Sequence, residues 1–126
     1  MVKTRRIKIY FDGGCRPNPG KMETAVVTGG AAVVVRDAGI GSSQDAEWLA
    51  LIAALRLARD LELANFILLG DAAAVVAQAN GAVRARGGAA EHLAHFRALA
   101  EGGPAPAVRH IKRTQNLAGI ALARGR

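Results

Sequence analysis

Apolar and polar positions alternate through Ile7-Lys-Ile-Tyr-Phe-Asp12, and the chain then enters Gly13-Gly-Cys-Arg-Pro-Asn-Pro-Gly20. This period of two predicts a strand over 4–14 that delivers Asp12 into a Gly/Pro turn. The Val-rich stretch from Thr24 to Arg36 predicts a second strand, with a turn or bulge where Gly29-Gly30 interrupts it. A short third strand fits 37–42. The period then changes. Ala46, Leu49, Ala50, Ala53, Ala54 and Leu57 recur at helical spacing and predict a helix over 43–61, capped by Ser42 or Ser43. Phe66-Ile-Leu-Leu-Gly70 is a continuous apolar run and predicts a strand over 65–70, buried on both faces. A helix over 72–80 ends at Asn80-Gly81. A basic connector over 83–88, a helix over 89–100, a loop over 102–106, a strand over 107–112 and a helix over 116–123 follow. Three strands, a helix, a strand, two helices, a strand and a helix predict an α/β fold, a mixed sheet with helices on its faces.

Composition adds bounds to this pattern. The 126 residues suit one domain spanning 1–126, and 51% hydrophobic content, much of it Ala, supports a tight small-residue core. No apolar run reaches the ~18 residues of a membrane span, so no membrane partner is expected. Met1-Val-Lys-Thr-Arg-Arg6 is basic but lacks a following apolar stretch and cleavage site, so no signal peptide is predicted. The single cysteine, Cys15, has no internal partner and fits a reducing, cytoplasmic location. Charge changes the picture more. Seventeen Lys and Arg against ten Asp and Glu give a net charge of +7, which suits a polyanionic partner such as nucleic acid.

Within this basic chain three acids stand at element ends. Asp12 closes the first strand, Glu47 opens the long helix, and Asp71 directly follows the buried strand. Singly, each has an ordinary explanation: a turn residue, a helix-dipole partner and a helix cap. Together, three carboxylates from three elements point to a divalent-metal site, and hard oxygen ligands suit Mg²⁺ or Mn²⁺.

Phe11-Asp-Gly-Gly-Cys-Arg-Pro-Asn-Pro-Gly20, Ala46-Glu-Trp-Leu-Ala-Leu-Ile-Ala-Ala-Leu55, Leu69-Gly-Asp71 and Arg113-Thr-Gln-Asn-Leu-Ala-Gly-Ile-Ala-Leu-Ala123 occur in the order of one family. The chain resembles a type 1 ribonuclease H from about Ile7 to Ala123. The resemblance implies a ribonuclease H-like fold, a five-stranded mixed sheet with helices on both faces. It implies a short form, with the family's basic protrusion absent or reduced to Arg84-Ala-Arg86. The implied activity is endonucleolytic cutting of the RNA strand of RNA–DNA hybrids, giving 5′-phosphate and 3′-hydroxyl ends. Two divalent ions, held by Asp12, Glu47 and Asp71, would clamp the scissile phosphate.

The resemblance also sets Gly13, Cys15 and Asn18 beside the RNA strand. There the Asn18 amide meets a 2′-hydroxyl, or else only satisfies its own turn. Ser42 and Ser43 stand where the family offers Thr and Asn to the DNA strand, and a serine still donates to phosphate. Ala73 replaces a polar residue near the minor groove. Arg113 stands near the place of a mobile histidine in larger members, and either meets a phosphate or is plain surface. His92 and His95, spaced i, i+3 with no third ligand, read as helix surface or core edge. The last motif departs from the family. Ile120 occupies the register of a fourth acid, and no Asp or Glu follows Glu101, leaving only the terminal carboxylate at Arg126. Asn116 lies one helical turn before Ile120. It either lends its amide oxygen to a metal, in which case Asn116→Asp preserves or raises activity, or caps the last helix. The alternative function is a catalytically degenerate module that binds hybrids or double-stranded RNA. A monomer is expected.

Overall fold

The computed structural model describes residues 5–124. The first strand, β1, is Ile7–Cys15; Thr4 of its expected span and the terminal carboxylate at Arg126 lie outside the described residues. The expected second strand is in fact two. Gly29 and Gly30 both take positive φ, 58° and 78°, and Thr28 pairs with Ala31, so they form a two-residue hairpin turn. β2 is Gly20–Thr28 and β3 is Ala31–Val35. A two-residue strand β4, Ile40–Gly41, pairs with Lys21 and Gly20. Four strands therefore precede the first helix, where the sequence pattern predicts three.

α1 runs Ser43–Asp60, β5 Phe66–Gly70, α2 Ala73–Ala79, α3 Gly88–Ala100 and β6 Ala107–His110. A 3-10 turn over Arg113–Gln115 leads into α4, Leu117–Ala123. The main path of the sheet is β3-β2-β1-β5-β6, with β4 beside β2. β1 runs antiparallel to β2 and parallel to β5, and β5 runs parallel to β6, so the sheet is mixed as expected.

Alternation along the strands decides which helix covers which face. Ile9, Phe11 and Val26 face α1 and α3, in a core with Trp48, Leu51, Leu55 and Phe96. Tyr10, Ala25, Val27 and Val34 face the other way, under Ala118, Ala121 and Leu122 of α4. One face thus carries most of the core and the other a thin layer. Ala46, Ala50, Ala54 and Ala58 repeat every four residues on α1 and are buried almost completely. This small stripe brings the helix backbone close to the sheet. Arg59, at its end, donates from Nε to the Leu99 carbonyl at 3.1 Å and from Nη2 to those of Ala100 and Pro104 at 2.8 Å. It so satisfies terminal carbonyls of α3, with its guanidinium over the Phe66 ring.

Candidate metal centre

β1 and β5 are parallel neighbours with Tyr10 opposite Leu69, and extending that register sets Asp12 beside Asp71. A Cβ at Gly70 would strike the Phe11 ring, so the glycine lets β1 pass. A Cβ at Gly13 would strike the Ala46 carbonyl, so that glycine lets the first turn of α1 close over the end of β1. Glu47 is carried in with that turn. Asp12, Glu47 and Asp71 each offer an oxygen, and these atoms lie within 4.8 Å of one another. All three residues are half-buried.

Crowded carboxylates cannot all ionise freely. Burial, then the charges of Asp12 and Asp71, push Glu47 up to about 7, while Arg113 pulls the other way. A bound cation would relieve this repulsion, and three hard oxygens fit a divalent one. The cluster opens into a groove of about 520 Å³ whose walls include Arg16, Ser43, Arg113 and Ile120.

Asn116 reaches the cluster in a way that sequence spacing does not reveal. It is fully buried. Its Oδ1 accepts from the Ala118 N–H at 3.1 Å, and its Nδ2 donates to Asp71 Oδ2 at 2.9 Å and to the Phe11 carbonyl at 3.0 Å. Of the two roles that the sequence offers, metal ligand or cap, the amide oxygen takes the cap of α4. What faces the acids is the NH₂ group, which holds one oxygen of Asp71. Ile120 is 44% exposed and lines the groove, so no acid occupies that wall.

The remaining expected contacts divide. Ser42 forms a reciprocal capping box: its Oγ accepts from the Asp45 N–H at 3.0 Å, while Asp45 Oδ2 accepts from the Ser42 N–H at 3.0 Å and its hydroxyl at 2.9 Å. That hydroxyl proton is committed, which removes Ser42 from the expected phosphate donors. Ser43 donates its N–H to Asn18 Oδ1 and accepts Asn18 Nδ2 at its Oγ, both at 3.0 Å. Asn18 is thus a strut between the Gly/Pro loop and α1, and the Ser43 hydroxyl proton stays available. Cys15 lines the groove, with its Sγ 3.5 Å from Asn18 Oδ1. His92 Nε2 lies 3.0 Å from Asp45 Oδ1 and stacks on Trp48, anchoring the start of α1 to α3. Its i, i+3 spacing to His95 carried no hint of this. Arg16, also unforeseen, was legible only as the cation inside the first motif.

A family model described as Reverse transcriptase-like matches residues 12–125. The structure of ribonuclease H1 from Halobacterium salinarum superposes with a TM-score of 0.84 at 30% identity, covering 94% of each chain. The chain belongs to the type 1 ribonuclease H family. LC11-RNase H1, solved in complex with an RNA/DNA hybrid, is similar to this ribonuclease H at TM-score 0.83 and 26% identity, over 93% of each chain. A curated ribonuclease HI of Halobacterium salinarum is 37% identical over 82 residues, which span 61% of this chain and 41% of that relative. Among the described residues of this ribonuclease H, no helix is long and apolar enough to cross a membrane.

Proposed function

We propose that this ribonuclease H hydrolyses the RNA strand of RNA–DNA hybrids, using two divalent ions, Mg²⁺ or Mn²⁺, at Asp12, Glu47 and Asp71. The observation that carries the reading is the convergence of three carboxylates within 4.8 Å at the base of a groove walled by Arg16 and Arg113. A basic chain with one small acidic pocket suits a phosphodiester substrate. When bound, the ions supply Lewis-acid stabilisation of the phosphate and a nucleophile of lowered pKa.

The chain's own residues do the rest. Asn116 fixes the rotamer of Asp71 through Oδ2. Arg113 offsets the negative charge around Glu47 and meets a phosphate. The Ser43 hydroxyl and the first turn of α1 offer donors to the DNA strand. Gly13, Cys15 and the strut residue Asn18 line the path of the RNA strand, where a 2′-hydroxyl separates RNA from DNA. The products carry 5′-phosphate and 3′-hydroxyl ends. The enzyme acts as a monomer in a reducing cytoplasm, in keeping with its one cysteine.

The test is cleavage of a labelled hybrid in Mg²⁺ and in Mn²⁺. Asp12→Asn and Asp71→Asn each abolish cleavage while the protein stays folded; near-full activity in either variant removes that residue from the centre. The missing acid at Ile120 favours a second reading, a module that binds hybrids or double-stranded RNA without cutting. Hybrid binding by the wild-type chain, with no cleavage at any concentration of either ion, would establish it.

A further inference from the structure

The sheet face that carries Asp12 continues sideways into a second cationic groove. Asp12 pairs with Ala25 and Gly14 with Glu23, so alternation along β2 sets Glu23 and Lys21 on the α4 side, with Asp12. Val35 pairs with Thr24, so Arg36, the next residue, emerges on that side as well. Arg36 is fixed there. Its Nη1 donates to Glu23 Oε2 at 2.9 Å and to the Leu122 carbonyl at 2.8 Å, and its Nη2 to the Arg124 carbonyl at 2.6 Å. Lys21 is held only loosely, 4.0 Å from Asp37, with both side chains exposed. Exposed pairs of this kind contribute little and give way to a stronger acceptor.

Arg16, Lys21, Glu23 and Arg36 line this groove of about 250 Å³, three cations against one carboxylate. Arg16 is exposed, makes no ion pair among the described residues, and lines the groove of the metal centre too. One guanidinium therefore joins the two grooves. No aromatic residue lines the second groove, so it offers no platform for bases. What it offers is charge for a phosphate backbone: a guanidinium that binds two phosphate oxygens at once, and a mobile ammonium.

We propose that the RNA strand leaves the metal centre over Arg16 and lays its next phosphates along Arg16 and Lys21, with Arg36 holding the Glu23 carboxylate, a backbone subsite that extends the grip sideways across the sheet. This rests on the hybrid-cleaving reading above. The test is hybrid binding by fluorescence anisotropy in an Asp12→Asn background, which keeps the substrate whole, between about 50 and 200 mM salt. Adding Arg16→Ala and Lys21→Ala lowers the slope of log affinity against log salt by about 2, roughly one for each lost phosphate contact. Arg6→Ala with Lys8→Ala, which removes the same charge from the opposite end of β1, leaves the slope nearly unchanged. Trimming the RNA strand on one side of the cleavage position removes the difference between the Arg16/Lys21 variant and its parent. An unchanged slope in that variant, an equal loss in the Arg6/Lys8 control, or indifference to trimming on both sides would overturn the subsite while leaving the hybrid reading standing. Failure of the parent to bind hybrid at all sinks both.

Discussion

One buried amide ties the last helix to the metal centre. The oxygen of Asn116 caps α4 and its nitrogen holds Asp71. The sequence offers ligand and cap as alternatives; the contact with Phe11, 105 positions away, decides how the amide turns, and spacing within the helix cannot show that. The consequence reverses the expectation for Asn116→Asp. That variant loses both donated bonds and sets a carboxylate against Asp71 and a carbonyl. It is expected to lose about 1–3 kcal/mol in urea unfolding and most of its cleavage activity. Wild-type activity in Asn116→Asp would mean that the side chain does not donate to Asp71. Glu47 gives a prediction with a definite sign. Its folded pKa, about 7, lies above the ordinary 4.5, so the native state keeps a proton that the unfolded chain releases. Its contribution to the metal-free protein is therefore present at low pH and lost as pH rises from about 4.5 through 7. Glu47→Gln removes that loss. The melting temperature of Glu47→Gln in EDTA should gain on wild type between pH 5 and pH 8, and a constant difference would show that Glu47 ionises normally.

Most elements are legible from period and punctuation, because their faces are cleanly divided between core and solvent. The hairpin is the exception. Gly29-Gly30 reads equally as bulge or turn until the pairing of Thr28 with Ala31 is known. The close approach of α1 is likewise implicit, since four alanines at fourfold spacing say that something packs tightly but not what. Arg59 shows what local reading misses entirely: it ends α1 in sequence yet caps α3 in space. Arg59→Ala should lower stability by several kcal/mol, since three donated bonds and a partly buried guanidinium go together. Arg59→Lys should recover only a fraction, for want of the planar fork. A thermal melt of both variants tests this, and equal stability of all three proteins would exclude the capping role. On α4, Ile120 is exposed at the groove, so Ile120→Asp costs little packing and adds a fourth carboxylate. It should lower the divalent-ion concentration that gives half-maximal cleavage; no change would mean that position 120 does not reach the ions.

At the scale of the whole molecule the two faces of the sheet are unequal. The α1 face holds the large side chains, and the opposite face is closed by one seven-residue helix through Ala118 and Leu122. That helix is fastened at its two ends by single side chains, Asn116 at the start and Arg36 at Leu122 and Arg124. The three acids, the sheet and the basic balance were legible in the sequence from residue type and strand pattern, although Asp12 lies inside β1, with Gly13 to Cys15 still paired beyond it, and not at its end; this imbalance was not legible, since it depends on which residues of each strand turn inward. Among the described residues the hydrogen bonds that fasten this short helix are few, so it is expected to open by sub-global fluctuation below the free energy of complete unfolding. Amide hydrogens of α4 are expected to exchange with solvent far sooner than those of α1 and β5, and equal protection would contradict this. Each such opening would withdraw the amide from Asp71, so reversible loss of cleavage on warming, below the main thermal transition, is the expected outcome, and loss that coincides with global unfolding would contradict it.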